Sequence, residues 1–151
     1  MLLSKTFSYA VRSILFIALT QKEEGYVKVD TISNSLGVPK PFLSKVLKTL
    51  AKNKLLISFK GPSGGFNLNK DTLELPLLRI ASITNDIPEA NKYLLHIMDC
   101  DPSNPCAIHN KMDAINRNII TMLTDTTLLD LLNQEINTAS NTPVAEKLLE
   151  V

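Results

Sequence analysis

The ten residues CDPSNPCAIH, at positions 100–109, carry two thiols and an imidazole. Cysteine thiolates hold iron–sulfur clusters, and histidine is a known substitute ligand. Cys100 and Cys106 are separated by a five-residue stretch containing Pro102 and Pro105, a loop loose enough to wrap a metal group. His109 follows Cys106 by three, the spacing of one helix face, and a helix start beneath Cys106 favours the thiolate. Three chemistries stay open. Cys100, Cys106 and His109 can ligate a cluster, with a two-iron form favoured over a four-iron one because so few thiolates are present. The two cysteines can close a transient disulfide as a thiol switch. The loop can also carry no cofactor, since free cysteine often serves as a small apolar residue.

A second group of residues suits polyanions. Residues 1–70 hold eleven lysines and arginines against three acids, a balance of +8, whereas residues 71–151 hold five against twelve, a balance of −7. The net charge of +1 conceals this division. A basic half points to a polyanionic partner, although solvated surface lysines alone would give the same count. Lys60 opens the stretch KGPSGGFNLNK and Lys70 closes it. A phosphate-binding loop would continue into a helix with Gly-Lys-Ser/Thr, whereas here a strand follows, so the glycines make a hairpin tip.

Positioning these groups requires a set of helices and one hairpin. Phe7, Ala10, Val11, Ile14, Leu15 and Ala18 recur at helical spacing and predict a first core helix. In VKVDTISNSLGV a short strand is followed by a helix through Leu36, with Asp30 as its expected N-cap and Gly37 as its terminator. Two residues later KPFLSKVLKTLAKNK is strongly helical, with Leu43, Val46, Leu47 and Leu50 on one face and Lys40, Ser44, Lys45 and Lys48 elsewhere. Pro39 and Pro41 fit its first turn. Two helices joined by a tight glycine turn form a helix-turn-helix. LLISF and GFNLN then predict a β-hairpin wing, and DTLELPLLRIASITND a helix from about Leu75 to Ile83. Residues 84–105 are mostly loop, with room for a short helix near Lys92–Ile97.

Ile108, Met112, Ile115, Ile119 and Met122 are spaced 4, 3, 4 and 3, a coiled-coil-like seam of about two heptads. Such a seam needs cover, either from its own chain or, as two-fold DNA-binding dimers use it, from a second copy. DTTLLDLLNQEI predicts a shorter amphipathic helix, and the polar NTASNTPVAEKLLEV a tail. The expected fold class is therefore mainly α with a small β-hairpin wing. Its parts are a winged helix-turn-helix domain over 1–83, a sensor loop over 84–105, dimerisation helices over 106–136 and a flexible tail over 137–151.

The composition excludes several classes. No apolar run reaches 18 residues, so no membrane span is expected. The N-terminal stretch lacks the regions of a signal peptide, and Arg12 interrupts its apolar run. Two cysteines suggest a reducing, cytoplasmic setting rather than a disulfide scaffold. With two histidines and no nucleophile–base set, no enzyme is expected. The competing class is a winged-helix module that binds a partner protein and no DNA.

These stretches together resemble the Rrf-two family of winged-helix transcription regulators. SKTFSYAVRSILFIAL is similar to the family's first helix, ISNSLGVPKPFLSKVLKTLAKNKLL to its helix-turn-helix, KGPSGGFNL to its wing signature and TTLLDLL to its closing helix. The resemblance covers nearly the whole chain. It implies a homodimer on a palindromic double-stranded operator. Lys40, Pro41, Ser44 and Lys45 would face the major groove, and Lys60 to Ser63 the neighbouring minor groove or backbone. The basic charge of the first half adds Lys48 on the same helix as an expected phosphate contact. It also implies a sensor of redox, iron–sulfur or nitric-oxide status in the loop before the long helix. Cluster-binding relatives typically carry three cysteines there, and Cys100 and Cys106 fall at the second and third. Leu94 stands at the first, with His96 as the nearest alternative, and Ser8 stands where some relatives recruit an acidic ligand from the partner.

Overall fold

The computed structural model of the chain describes residues 3–20, 25–87 and 107–138. The order is α1 (Lys5–Thr20), α2 (Val29–Leu36), α3 (Lys40–Lys52), β1 (Leu56–Phe59), β2 (Gly65–Leu68), α4 (Leu77–Thr84), α5 (His109–Asp125) and α6 (Leu128–Thr138), with a 3-10 turn at Thr72–Glu74.

The apolar spacing of α1 places Ala10, Ile14 and Ile17 at the centre of the core, with no exposure at all. Arg12, which breaks the apolar run in sequence, is buried too. Its Nη2 donates to the Leu36 carbonyl at 3.4 Å, at the C-terminal end of α2, where a cation is favoured. Gly37 stops α2 in the left-handed region, at φ +63°, and the Val38 N–H closes onto the Ser33 carbonyl at 3.1 Å. The Ser33 hydroxyl donates back to the Val38 carbonyl at 2.7 Å, so the turn into α3 is fastened twice. Asp30 is not the cap of α2: that position falls to Lys28, with extended backbone, and Asp30 lies in the first turn. Its carboxylate still favours the positive helix end, and it pairs with Lys40.

β1 and β2 pair antiparallel from Leu56↔Leu68 to Phe59↔Gly65, and Val27 bridges the free side of β2 at Phe66. One rung of this small sheet is therefore three strands wide. Gly64 and Gly65 are both required. A Cβ on Gly64 would lie 2.4 Å from the Phe59 carbonyl oxygen, and one on Gly65 would lie 2.5 Å from that of Val27.

α4 begins at Leu77 after Pro76, not at Leu75. Its start is stitched to the C-terminal helices through backbone. The Leu77 N–H donates to the Thr126 carbonyl at 2.9 Å, and the Leu128 N–H to that of Leu75 at 3.2 Å. Thr127 and Asp130 cap α6 reciprocally. The Thr127 N–H reaches the Asp130 carboxylate at 2.8 Å, and the Asp130 N–H reaches the Thr127 hydroxyl at 3.1 Å. Hydrogen bonds from Thr127 hold the Asp130 carboxyl below its usual range. Leu123, Leu128 and Leu132 join the core built by α1 to α4, so the described residues share one hydrophobic cluster. The expected helix near 92–97 lies outside the described residues.

Candidate nucleic-acid interface and sensor segment

α3 has two unlike faces. Leu43, Val46, Leu47 and Leu50 are 0 to 5% exposed, held against α1 and α2. Lys40, Pro41, Lys45 and Lys48 are exposed and Ser44 is half-buried. Burying the apolar face leaves the helix only one rotational setting, which fixes the direction of the lysines. Lys40 differs from the others: its ammonium sits 2.6 Å from the Asp30 carboxylate. Both groups are more than half exposed, so the pair is weak and a phosphate could displace it.

An aromatic contact positions the start of α3. Phe42 meets Tyr9 of α1 edge-to-face, centroids 5.6 Å apart, and the Arg12 guanidinium lies 6.0 Å from the Tyr9 ring. Sequence reasoning missed this chain from α1 to α3. Its signal was a lone arginine inside an apolar helical run, three residues after a tyrosine.

Lys60 and Ser63 are both exposed on the wing turn. The turn is closed by the Gly64 N–H on the Gly61 carbonyl at 2.9 Å, and Gly61 takes φ +114°, a value few other residues adopt. The tip carries no bulky side chain, and Lys60 stands at its root. The structure thus presents Lys40, Pro41, Ser44, Lys45 and Lys48 along one helix, and Lys60 and Ser63 on the hairpin that follows.

Of the three candidate metal ligands, His109 is described. It opens α5 and is half-buried. Cys100 and Cys106 lie outside the described residues. α5 begins at His109 itself, so the helical start expected at Cys106 comes three residues later. Among the described residues no group of three or more histidines, cysteines or acids is placed to hold a metal ion. The donor chemistry of Cys100, Cys106 and His109 nevertheless fits an iron–sulfur group, with one further ligand needed.

The seam of α5 divides. Ile115 and Met122 are 45% and 50% exposed, while Ile119 packs against the core and Leu123 is wholly buried. Met112 is half-buried, and Ile108 is half-buried at the cap position just before the helix. Where α4 ends, Asp86 grips the start of α1: its carboxylate accepts the Ser4 N–H and the Ser4 hydroxyl, each at 2.7 Å. Burial pushes the Asp86 carboxyl up, but hydrogen bonds from Thr84 and Ser4 together outweigh it and leave the group below its usual range.

Residues 3–134 match the Rrf2 family, described as an iron-dependent transcriptional regulator. A protein of Aquifex aeolicus (strain VF5) named as an HTH-type transcriptional regulator is 33% identical over 137 residues, covering 89% of this chain and 94% of that one. The HTH-type transcriptional regulator IscR of Serratia proteamaculans (strain 568) is 28% identical over 127 residues, 84% of this chain and 76% of its own. Among solved structures, CymR, the global cysteine regulator of B. subtilis, superposes with a TM-score of 0.66 at 19% identity, covering 87% of this chain and 95% of that one. At that identity the likeness establishes the fold, a winged helix-turn-helix with C-terminal helices. No helix among the described residues is long and apolar enough to cross a membrane. With a glycine-turned helix pair, a basic α3, a Gly-Pro wing and a family match over nearly all its length, the chain belongs to the Rrf2 family of DNA-binding helix-turn-helix transcriptional regulators, not to an enzyme family.

Proposed function

We propose that the chain acts in the cytoplasm as a homodimer on palindromic double-stranded DNA, and that the Cys100–His109 segment sets its affinity. The observation that carries this reading is the rotational setting of α3. Its apolar face is consumed by the core, so Lys45 and Lys48 stand outward beside the wing bearing Lys60. Lys48 and Lys60 anchor phosphates, while Lys45, with Ser44 and Pro41, meets base edges in the major groove. Two copies joined through the exposed part of α5 bring two such helices to half-sites whose separation is geometrically strict. The dividing lines are those of the sequence, with a DNA-binding part over 1–83, a sensor loop over 84–105, dimerisation helices over 106–136 and a tail over 137–151.

The family description supports an iron group, and Cys100, Cys106 and His109 would hold it. Such a group would supply a redox-active metal centre. The protein's own residues would carry the response. His109 opens α5, α5 packs on α4, and Asp86 at the end of α4 grips the first turn of α1. α1 holds α3 through Tyr9 and Phe42. A change in how residues 100–109 are held therefore has a continuous packed route to the lysines.

Duplex binding by the full chain across a salt series tests the DNA reading; affinity independent of salt would contradict it. Protein isolated without oxygen is expected to be coloured and to carry iron and sulfide, and Cys106→Ala to lose both. His109→Ala is expected to leave a more easily lost group. Colourless, iron-free wild-type protein would sink the cluster assignment. The alternative is a cofactor-free regulator of the same fold, worked by a Cys100–Cys106 thiol switch or by a partner protein. Leu94, where cluster-binding relatives carry a cysteine, favours it. Mapping a Cys100–Cys106 bond after mild oxidation separates the thiol switch from the cluster.

A further inference from the structure

The small sheet of the wing has a core face and a solvent face. Val27 and Phe66 are buried on the first, 8% and 5% exposed. Strand alternation turns their neighbours Tyr26, Lys28 and Asn67 to the second, together with Ile57 and Phe59 of β1, while Gly65 on the same side is itself buried. Tyr26, Ile57 and Phe59 are 37%, 45% and 54% exposed. The Tyr26 and Phe59 rings stack, centroids 5.0 Å apart and planes 25° from parallel. Gly65 stands opposite Phe59 in the register and contributes no side chain between them. Lys28 and Lys60, both exposed, flank the aromatic pair along the chain.

Two stacked aromatic rings and an isoleucine in water, on a face with no role in the core, mark an interaction surface. We infer that this face is a stacking platform for the unpaired bases of single-stranded nucleic acid. Flat rings offer stacking area to any base, and the exposed lysines that neighbour them in the chain can donate to phosphates that run alongside. A duplex cannot use the platform, because paired bases hide their faces from it; the inference therefore goes beyond operator binding. A second copy of this face is disfavoured, since pairing it with itself would bring lysines against lysines. The lysines equally disfavour a basic peptide. The wing tip continues directly into the platform through Lys60, so a strand leaving the duplex interface would meet it.

The test uses the full chain with fluorescently labelled oligo-dT and oligo-rU, and a duplex in a separate arm. Phe59→Ala and Tyr26→Ala are each expected to weaken single-strand binding by roughly tenfold, as loss of one stacked base does. Duplex affinity should change by less than about twofold on the same argument, and far-UV circular dichroism should not change. The chain contains no tryptophan, so Phe59→Trp places a lone fluorophore on the platform. That variant is expected to keep single-strand binding and to be quenched as the strand is added. Lys28→Ala should make the salt dependence shallower. Preference for oligo-dT or for oligo-rU would identify the strand as DNA or RNA, and either supports the platform. Wild-type protein that binds neither strand at low salt would overturn it. So would alanine variants that bind normally, or indole emission from the Phe59→Trp variant that does not respond to the strand. Equal losses on duplex and single strand would instead make the face part of duplex docking. Self-association abolished by Phe59→Ala would give it to a second copy.

Discussion

α3 and α5 are both amphipathic, yet the fold treats them differently. The apolar face of α3 is spent inside its own chain, with Leu43 and Leu47 wholly buried. α5 buries Leu123 fully and leaves Ile115 and Met122 about half exposed. A helix whose apolar stripe is consumed is fixed in rotation and can present its polar side as a reading surface. A helix whose stripe is left open is a surface for something else. The contrast separates residues that hold the monomer together from residues that the proposed dimer would cover.

The comparison breaks most visibly at Leu47. Leu47→Ala empties a fully buried site and is expected to cost about 2–5 kcal/mol of stability, lowering the urea midpoint whatever the oligomeric state. Ile115→Asp is the opposite experiment. It places an unpaired charge in the proposed seam, at a cost of several kcal/mol to association. The circular dichroism of the monomer should survive while sedimentation shifts from dimer to monomer. Wild-type protein that sediments as a monomer at micromolar concentration would remove the seam from the interface.

The polar side of α3 is tested more gently. Lys48→Ala and Lys60→Ala are each expected to weaken binding to every duplex and to make the salt slope shallower by roughly one unit. Lys45→Ala should relax a preference at one base pair. If neither Lys48 nor Lys60 alters affinity for any duplex, α3 is not the reading helix.

The smallest effect belongs to Asp86. Its carboxyl titrates below its unfolded value of 3.8, so its contribution to stability is full above that value and fades as the pH falls through the lower folded one. Asp86→Asn should therefore lower the urea midpoint modestly at neutral pH, and the gap to wild type should close in strong acid. A gap that persists there would mean the Ser4 contacts do not depend on charge.

Much of this was legible in the sequence because local chemistry agreed with the fold. Gly37 ends α2 where a left-handed residue is needed, the period of α3 names its core residues, and the Gly-Pro-Ser-Gly-Gly run announces the wing. What failed was local detail that only tertiary contact decides. Asp30 has the chemistry of an N-cap, but the chain enters α2 two residues earlier, and the carboxylate pairs with Lys40 across the turn instead. Arg12 counted as an interruption, whereas the C-terminal end of α2 supplies its acceptor from 24 residues away. The stacking of Tyr26 on Phe59 depends on the pairing of Val27 with β2, which no short-range pattern encodes. The metal question was legible only as a list of donors, since Cys100 and Cys106 lie outside the described residues.

The backbone stitch between α4 and the start of α6 has a mechanical meaning. It clamps α5 near Thr126, at one end, while His109 stands at the other, about 25 Å away for a helix of 17 residues. Ile119 and Leu123 fasten the half of the helix nearest Thr126 to the core, while Ile115 nearer the other end stays about half exposed. α5 is thus seated like a beam set in a wall, with its apolar anchorage concentrated in the C-terminal half, beside the stitch to α4.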